Sequence, residues 1–499
     1  METTKTKETI VKGAIFVILG LLISKIFNYA YHIIIARGTG PTEYGNLSIG
    51  IAVISIIGLI GAMGLHSGAE RFIGYYKQKP EKTRKIITTT LSIATLTSII
   101  LGIIVWISSE IIAKEIFHNK ELVILLKIFA AGIPLYAIKE LSLGIFRGLE
   151  NAKYQTIIRD ITEPGIRIIL TIIFFSIGWK LLGASSAYVI ALLITTGIAL
   201  YIIPWKKLKK DNEEKKIIKE IIKFSWPLTI TGMLFIIAGK IDTIMLGNMR
   251  TAEEVGIYTA GLTIAGILVS GSTIMSTLFL PIAANLSQQE KKEELETSYK
   301  FIIKWTLIGT LPFFLLFIVH GKIILNLLFG AVYKEAALAL TILSIGNFIA
   351  INTGPASQAI EARGKTKLVM ITRIISVATN IILNVLLIPK WGITGAAFAT
   401  AASLGLFKVI LVFINKKHIN HRFVNKETIK TVIAVLPSML FMLILQKSGI
   451  LKEDIGTSII IILLFLLLYV VMILVMGVIT KEEKETGKTL LLNTRKKFM

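Results

Sequence analysis

The chain lacks cysteine altogether and is poor in acidic residues. No cysteine occurs among the 499 residues, which excludes disulfide bonds, thiol catalysis and cysteine metal sites but says little about the compartment. Asp and Glu number 31 against 55 Lys and Arg, so the net charge is +24. In a soluble protein this excess of cations would suggest nucleic-acid binding. The hydropathy of the chain leads to a different interpretation of this excess of cations.

Long uncharged runs recur from end to end. The chain is 54% hydrophobic and its mean hydropathy is +0.74, which is too apolar for a soluble domain. Many runs reach about the 18 residues that indicate a membrane-spanning helix. We therefore predict an all-α polytopic membrane protein with about 14 transmembrane helices. The predicted spans are 13–36, 47–70, 86–107, 122–145, 155–178, 181–203, 223–247, 256–284, 301–320, 336–360, 367–388, 393–414, 428–446 and 456–479.

The cations fall mainly in alternate loops between these spans. Cytoplasmic loops of membrane proteins carry an excess of Lys and Arg, so this pattern predicts that both termini are cytoplasmic. It also explains the net charge without a nucleic-acid partner. The first apolar run is long and has no small-residue cleavage site, so we interpret it as a retained helix. We expect a multi-pass protein of the plasma membrane.

Three sequence patterns recur in the second half of the chain. Trp179–Ala184 matches Trp391–Ala396, and Glu43–Ser48 matches Glu254–Thr259, at nearly one offset. Lys153 and Arg159 match Lys367 and Arg373 at a similar offset. Six predicted helices in each repeat give both halves one orientation, so their pseudo-symmetry axis should follow the membrane normal.

The repeats divide the chain into predicted domains. Residues 1–205 form a six-helix N-terminal lobe, and 206–222 form a cytoplasmic linker. Residues 223–415 form a six-helix C-terminal lobe, and 416–499 hold helices 13 and 14 with a cytoplasmic tail.

Three stretches carry a resemblance to a known family. They are ARGTGPTEYGNLSIGIAVIS, KIDTIMLGNMRTAEEVGIYTAG and NIILNVLLIPKWGITGAAFATAAS. With their order, they resemble the oligosaccharide (Wzx-type) flippases of the multidrug/oligosaccharidyl-lipid/polysaccharide exporter superfamily. The resemblance covers nearly all of the chain. It implies two six-helix lobes that form a V, with two extra helices, and alternating access for polyprenyl-diphosphate-linked glycans. Fourteen helices favour this lipid-linked class, since the multidrug exporters of the superfamily usually have twelve.

Basic residues inside the predicted spans are candidate substrate ligands. An isolated charge at the bilayer centre costs about 2.5–3.5 kcal/mol, so it usually faces a cavity or a partner. Phosphate oxygens accept several charge-assisted hydrogen bonds from Lys and Arg. We predict a cationic cavity for a diphosphate, formed by Lys25, Lys139, Arg167, Lys240 and Arg373. The alternative is structural pairing, with Glu163 four residues from Arg167 and with Asp160 near Lys139.

One acid and two amides are candidate ligands of a coupling ion. Asp242 lies in the outer half of its predicted span, and Asn380 and Asn384 lie four residues apart on one helix face. Their oxygens suit Na⁺, and the carboxylate alone suits a proton. The alternatives are charge balance between Asp242 and Lys240, and hydrogen bonding of the amides between helices. No other cofactor, no metal site and no catalytic residue is predicted, because the six His show no metal spacing and no nucleophile–base pair occurs.

The leading hypothesis is a flippase that moves a lipid-linked oligosaccharide to the outer leaflet for surface polysaccharide or glycoconjugate assembly. Its expected partners are that substrate, membrane lipids, and glycosyltransferases or polymerases of the same route. One alternative is a cation-coupled multidrug exporter, although such exporters need acidic or aromatic cavities and the deep charges here are mostly basic. A second alternative is a non-transporting scaffold for glycosyltransferases. Repeat symmetry and charges within the membrane argue against a scaffold, which needs neither.

Overall fold

The computed structural model describes residues 2–205, 215–416, 426–447, 455–480 and 483. Every regular element in these ranges is helical. The α-helices are α1 (Glu2–Thr39), α2 (Pro41–Gly61), α3 (Leu65–Tyr75), α4 (Pro80–Ile111), α5 (Leu122–Gly148), α6 (Ala152–Gln155), α7 (Glu163–Ser176), α8 (Leu181–Ile202), α9 (Lys215–Met249), α10 (Ala252–Gln288), α11 (Lys292–Leu328), α12 (Ala337–Asn352), α13 (Ala356–Glu361), α14 (Thr366–Asn415), α15 (Lys426–Lys447) and α16 (Ile455–Val475). Ile112–Ile116 and Thr156–Thr162 are π-helical, and Ala331–Ala336 is a 3₁₀ helix.

Among the described residues, twelve helices are long and apolar enough to cross a membrane. One of them, α14, is 50 residues long and turns at Gly392, whose φ is 52°. The Ser376 hydroxyl donates to the Ser403 carbonyl at 2.9 Å across this turn, so α14 is a hairpin of two spans. Residues 152–176 form a further apolar segment that the π-helical turn divides into short pieces. The all-α polytopic fold is thus confirmed, and these two segments account for fourteen spans.

Two local expectations need correction. The second predicted span, 47–70, ends at Gly61, because left-handed backbone at Met63 (φ 48°) and Gly64 (φ 62°) breaks the helix before α3. α14 also continues through Pro389 and turns only at Gly392, although the sequence suggests that the helix stops at the proline. The linker is expected to be helical, and its described part is helical, since α9 begins at Lys215; residues 206–214 lie outside the described residues.

The chain forms two compact units, of which the first contains 1–264, 328–339 and 370–403. Its helices α3 and α5 pack closely through the GxxxG pair Gly144 and Gly148. A Cβ on Gly144 would lie 2.2 Å from the His66 carbonyl oxygen, and one on Gly148 would lie 2.9 Å from that of Glu70. Small residues at this spacing let helix backbones approach in a membrane. Around this contact, buried aliphatic residues of α3, α4, α5 and α8 form the core.

The second unit contains 265–327, 340–369 and 404–499. In it, Lys304 of α11 is 8% exposed and forms ion pairs with Glu427 at 3.1 Å and Glu483 at 2.8 Å. These pairs tie α11 to the start of α15 and to the chain after α16. Beside them, α11, α12 and α15 enclose an apolar groove of about 510 Å³.

The two compact units do not follow the repeat boundaries. Residues of the second repeat, including 328–339 and 370–403, belong to the first unit. The division into 1–205, 206–222, 223–415 and 416–499 therefore rests on the internal repeats and stays a prediction.

Candidate functional site

Asp242 is the centre of a buried polar cluster in the first unit. Its side chain is only 5% exposed. Its Oδ1 accepts hydrogen bonds from Asn380 Nδ2 at 3.1 Å and from Asn384 Nδ2 at 2.7 Å. Its Oδ2 accepts one from the Tyr258 hydroxyl at 3.0 Å and another from the Thr400 hydroxyl. The three residues predicted as one site are thus in direct contact.

The hairpin in α14 explains why these side chains meet. Asn380 and Thr400 lie equally far from Lys390 along the chain, so they face each other at one height, with Asn380 Nδ2 3.4 Å from Thr400 Oγ1. Gly392 has the left-handed backbone of the turn, and a Cβ there would lie 2.6 Å from Glu254 Oε2. The turn of the hairpin therefore lies close to the start of α10.

The cluster has the oxygen chemistry of a site for a small hard cation. It combines one carboxylate, two amide oxygens and two hydroxyls, and oxygen donors are what hard cations prefer. Asn384 Oδ1 is buried and has no hydrogen-bond partner. Burying a polar atom without a partner is unfavourable, and half a turn of the amide would direct this oxygen toward Asp242. The hydrogen bonds to the Asp242 carboxylate come from the neutral side chains of Tyr258, Asn380, Asn384 and Thr400.

Arg167 lies between two aromatic rings in the same unit. Its guanidinium carbon is 4.2 Å from the centroid of the Tyr31 ring and 5.3 Å from that of Tyr188. A cation within about 6 Å of a ring face is attracted by the ring quadrupole. Arg167 Nε is buried without a hydrogen-bond partner, and so is the Tyr31 hydroxyl. The Arg167 side chain as a whole is half-buried.

The acids near Arg167 pair with other cations. Lys139 is buried, and its Nζ lies 2.8 Å from Glu163 Oε2 and 3.5 Å from Glu140 Oε1. Asp160 pairs with Arg159 at 2.9 Å. The alternative pairings of Glu163 with Arg167 and of Lys139 with Asp160 are therefore wrong, because Glu163 pairs with Lys139 and Asp160 pairs with Arg159.

The remaining predicted cavity residues have varied surroundings. Lys240 is partly exposed and lies within electrostatic range of Arg167, and both lie within range of His32. Lys25 is exposed and lies within electrostatic range of the Arg159–Asp160 pair. The Arg373 guanidinium is 6.0 Å from the centroid of the Phe235 ring. We call the region of Arg167 and Lys240 the cationic centre, whereas Lys139 has the geometry of a structural ion pair.

Five residues of these two clusters were not predicted from the sequence: Tyr258, Thr400, Tyr31, Tyr188 and His32. Two of them have a usable signal. Thr400 is the residue opposite Asn380 once the turn is centred on Lys390. His32 lies two helical turns after Lys25, on the same face of α1. The three tyrosines have no such signal, because apolar spans use tyrosine equally for packing.

Family models match most of this architecture. A model described as polysaccharide biosynthesis protein matches residues 10–287, which is more than half of the chain. A second model, described as MatE, matches residues 227–386.

Individual relatives are similar over most of the chain. The capsular polysaccharide biosynthesis protein CapF of Staphylococcus aureus is 27% identical over 406 residues, which cover 79% of this chain and 96% of CapF. The "Probable low-salt glycan biosynthesis flippase Agl15" of Haloferax volcanii is 25% identical over 75% of this chain and 77% of its own length. Among solved structures, the lipid II flippase MurJ in an inward closed conformation is similar, with a TM-score of 0.74 at 18% identity over 93% of this chain and 99% of MurJ. That likeness shows the fold.

The helical fold, the match to the family model and the coverage of the relatives support the same assignment. The family match and the relative named as a glycan flippase also bear out the expectation of a transporter and not an enzyme. The chain therefore belongs to the polysaccharide biosynthesis protein family of the multidrug/oligosaccharidyl-lipid/polysaccharide exporter superfamily, and it is a multi-pass membrane transporter.

Proposed function

We propose that this protein flips a polyprenyl-diphosphate-linked oligosaccharide from the cytoplasmic to the outer leaflet by alternating access. The observation that carries the proposal is the half-buried guanidinium of Arg167, which aromatic rings hold while the neighbouring acids pair elsewhere. An arginine paired with a carboxylate is largely neutralised, whereas one held by rings keeps its charge for a ligand. With Lys240 nearby, the region attracts an anion and suits a diphosphate.

The relatives support a glycan as the other part of the substrate. CapF is named for capsular polysaccharide and Agl15 for a glycan flippase. We place the protein in the plasma membrane, with both termini in the cytoplasm, in a route that builds surface polysaccharide or glycoconjugates. Glycosyltransferases and polymerases of that route are the expected protein partners. The mechanism requires the cationic centre to face the two sides of the membrane in turn.

The test of the cationic centre is replacement of Arg167 by alanine. Arg167→Ala should reduce transbilayer movement of the lipid-linked oligosaccharide in liposomes at least tenfold, because the uncompensated charge is lost. The matched control is Lys127→Ala, which removes an exposed membrane cation that lies 5.2 Å from the centroid of the Trp106 ring. Unchanged melting temperatures would show that both variants fold. Normal movement by Arg167→Ala would remove the central residue of the proposal.

The groove in the second unit supplies a place for the polyprenyl tail. It lies within spans α11, α12 and α15, and its lining is almost entirely apolar. Phe314 and Phe348 stack at its wall with ring centroids 4.0 Å apart. A chain of isoprene units is apolar and branched, and it matches this lining better than any polar ligand.

A photoreactive prenyl diphosphate tests the placement of the tail. With the reactive group in its chain, it should label groove residues such as Leu311 and Leu436, and Leu436→Trp should reduce this labelling by filling the groove. Ile460 of α16, which is 51% exposed but outside the groove, gives the matched site for a tryptophan. Labelling that is confined to other helices would contradict the placement.

We also propose that a Na⁺ or proton gradient drives the cycle through Asp242, Asn380, Asn384 and Thr400. Differential binding of the ion to one state is what allows a gradient to bias the equilibrium. The oxygens of the cluster suit Na⁺, while the hydroxyls of Thr400 and Tyr258 can turn to accept from a protonated carboxyl. No other cofactor is required by this mechanism.

The match of residues 227–386 to the MatE model favours one alternative, a cation-coupled multidrug exporter. That function needs an acidic or aromatic cavity for cationic drugs. Efflux of a cationic dye without movement of the lipid-linked oligosaccharide would establish it.

A further inference from the structure

We propose that the Tyr31 hydroxyl is a direct ligand of the substrate phosphate, beside Arg167, and that Tyr31 and Tyr188 together position the guanidinium. This inference rests on the proposed function, since it names further residues of the same anion site. Tyr31 belongs to α1, Arg167 to α7 and Tyr188 to α8. Three helices of the first unit therefore build the site.

Two buried hydrogen-bonding groups of this site are unsatisfied by the residues that the structure describes. The Tyr31 hydroxyl and Arg167 Nε are both buried and lack partners within the described part of the chain. Nearly all buried polar groups in proteins are hydrogen-bonded, so two such groups side by side require an explanation. Both groups donate hydrogen bonds. A ligand that satisfies both must therefore offer acceptors.

The guanidinium of Arg167 lies against the ring of Tyr31. The guanidinium carbon is 4.2 Å from the centroid of the ring that carries the Tyr31 hydroxyl. The guanidinium thus lies against the ring that carries the hydroxyl, so a phosphate group bound by Arg167 would be close to Tyr31. An anion is favoured over a neutral acceptor, because Arg167 and the nearby Lys240 supply positive charge.

The two tyrosine rings that contact Arg167 are themselves packed against other residues. Tyr31 is 1% exposed and Tyr188 is 6% exposed, so both rings are tightly packed in this conformation. The Tyr188 ring is itself fixed by an edge contact with Phe129, at a centroid distance of 5.7 Å. Rings that hold the cation without neutralising it keep the guanidinium oriented before the substrate arrives. Such preorganisation improves binding because less freedom is lost.

The decisive variant is Tyr31→Phe, which removes the hydroxyl and leaves the ring. Because an unpartnered buried hydroxyl disfavours the folded state, Tyr31→Phe should melt at the same or a higher temperature than the parent protein without ligand. It should bind a prenyl diphosphate roughly 10- to 100-fold more weakly, the loss expected for one hydrogen bond to a charged group. A merely structural tyrosine would not give this pair of opposite effects.

The experiment measures binding of a radiolabelled prenyl diphosphate to the purified full chain, with melting temperatures recorded in parallel. Tyr154→Phe is the matched control, because Tyr154 packs on Phe146 at a centroid distance of 5.5 Å, away from the stack. Tyr188→Leu should weaken binding by removing the second ring, and Tyr188→Phe should recover most of it. This recovery would show that the ring of Tyr188 positions Arg167.

The outcomes separate this inference from the proposed function. If Arg167→Ala abolishes binding while Tyr31→Phe binds like the parent protein, the Tyr31 assignment is overturned and the proposed function stands. If Tyr31→Phe loses thermal stability together with binding, Tyr31 has a structural role and the assignment is also overturned. If the parent protein neither binds the probe nor moves the lipid-linked oligosaccharide, the proposed function fails.

Discussion

At the scale of single residues, partners decide what each buried charge does. Lys139 and Arg167 are both deep cations, and their sequence contexts gave them the same predicted role. The structure separates them, because Glu163 takes Lys139 at 2.8 Å and leaves Arg167 to the rings of Tyr31 and Tyr188. A buried ion pair is a structural feature that loses much when one partner is removed, whereas an uncompensated cation is available to a ligand.

Asp242 gives the prediction at this scale. Asp242→Asn keeps the size of the side chain but removes the charge, so it should abolish stimulation of transport by a Na⁺ or proton gradient. Movement without a gradient should persist, because the cationic centre is untouched. The measurement is initial rate in liposomes with and without each gradient.

The control for this prediction is Glu115→Gln, which neutralises an exposed acid in the π-helical turn after α4. It should respond to the gradient like the parent protein. Full stimulation of Asp242→Asn by the same gradient would refute the coupling site.

At the scale of helices, one close contact joins the starts of α2 and α10. A Cβ on Gly45 would lie 1.7 Å from the Ala252 carbonyl oxygen, and one on Gly256 would lie 1.9 Å from that of Pro41. The two glycines are equivalent positions of the internal repeat, in Glu43–Ser48 and Glu254–Thr259. Repeat symmetry therefore brings the same small residue to the contact from both sides, which lets the helix backbones touch.

Gly45→Ala should force the starts of α2 and α10 apart, because the obstacle is a backbone carbonyl that cannot rotate away. The native chain has no cysteine, so spin labels attached at Thr42→Cys and Glu253→Cys report this separation without background. We expect the shortest distance population of the parent protein to be lost and transport to fall severalfold.

Gly239→Ala provides the matched control for that prediction, since a Cβ on Gly239 would meet nothing within 4 Å. It should keep both the distance distribution and the transport rate of the parent protein. An unchanged distance distribution for Gly45→Ala would mean that this contact is not tight in the membrane.

Part of the fold and part of the candidate site could be predicted from the sequence. Hydropathy predicted the number of spans, because each apolar run must cover the hydrocarbon core. The spacing of Asn380 and Asn384 predicted a shared face, and their contact with Asp242 followed from the predicted lobe. The break at Met63 and Gly64 was not predictable, because left-handed backbone there depends on packing around α3. The pairing of Glu163 with Lys139 was missed because the two residues lie on different helices, and spacing along one helix does not predict contacts between helices.

At the scale of the whole molecule, the proposed function assigns binding, crossing and coupling to separate residues. We propose that the cationic centre around Arg167 recognises the diphosphate, that the groove lined by α11, α12 and α15 receives the tail, and that the Asp242 cluster senses the gradient. Each task can therefore be removed without the others. This separation is what distinguishes a coupled flippase from a passive route, in which one variant would impair every step equally.

Transbilayer movement of a polyprenyl-diphosphate oligosaccharide, in liposomes that contain the purified protein, is the most direct test of the proposed function. We expect movement that depends on the protein, that is faster with a Na⁺ or proton gradient, and that Arg167→Ala reduces at least tenfold. Liposomes that show no movement under either gradient, while the same protein expels a cationic dye, would contradict a flippase and establish a drug exporter.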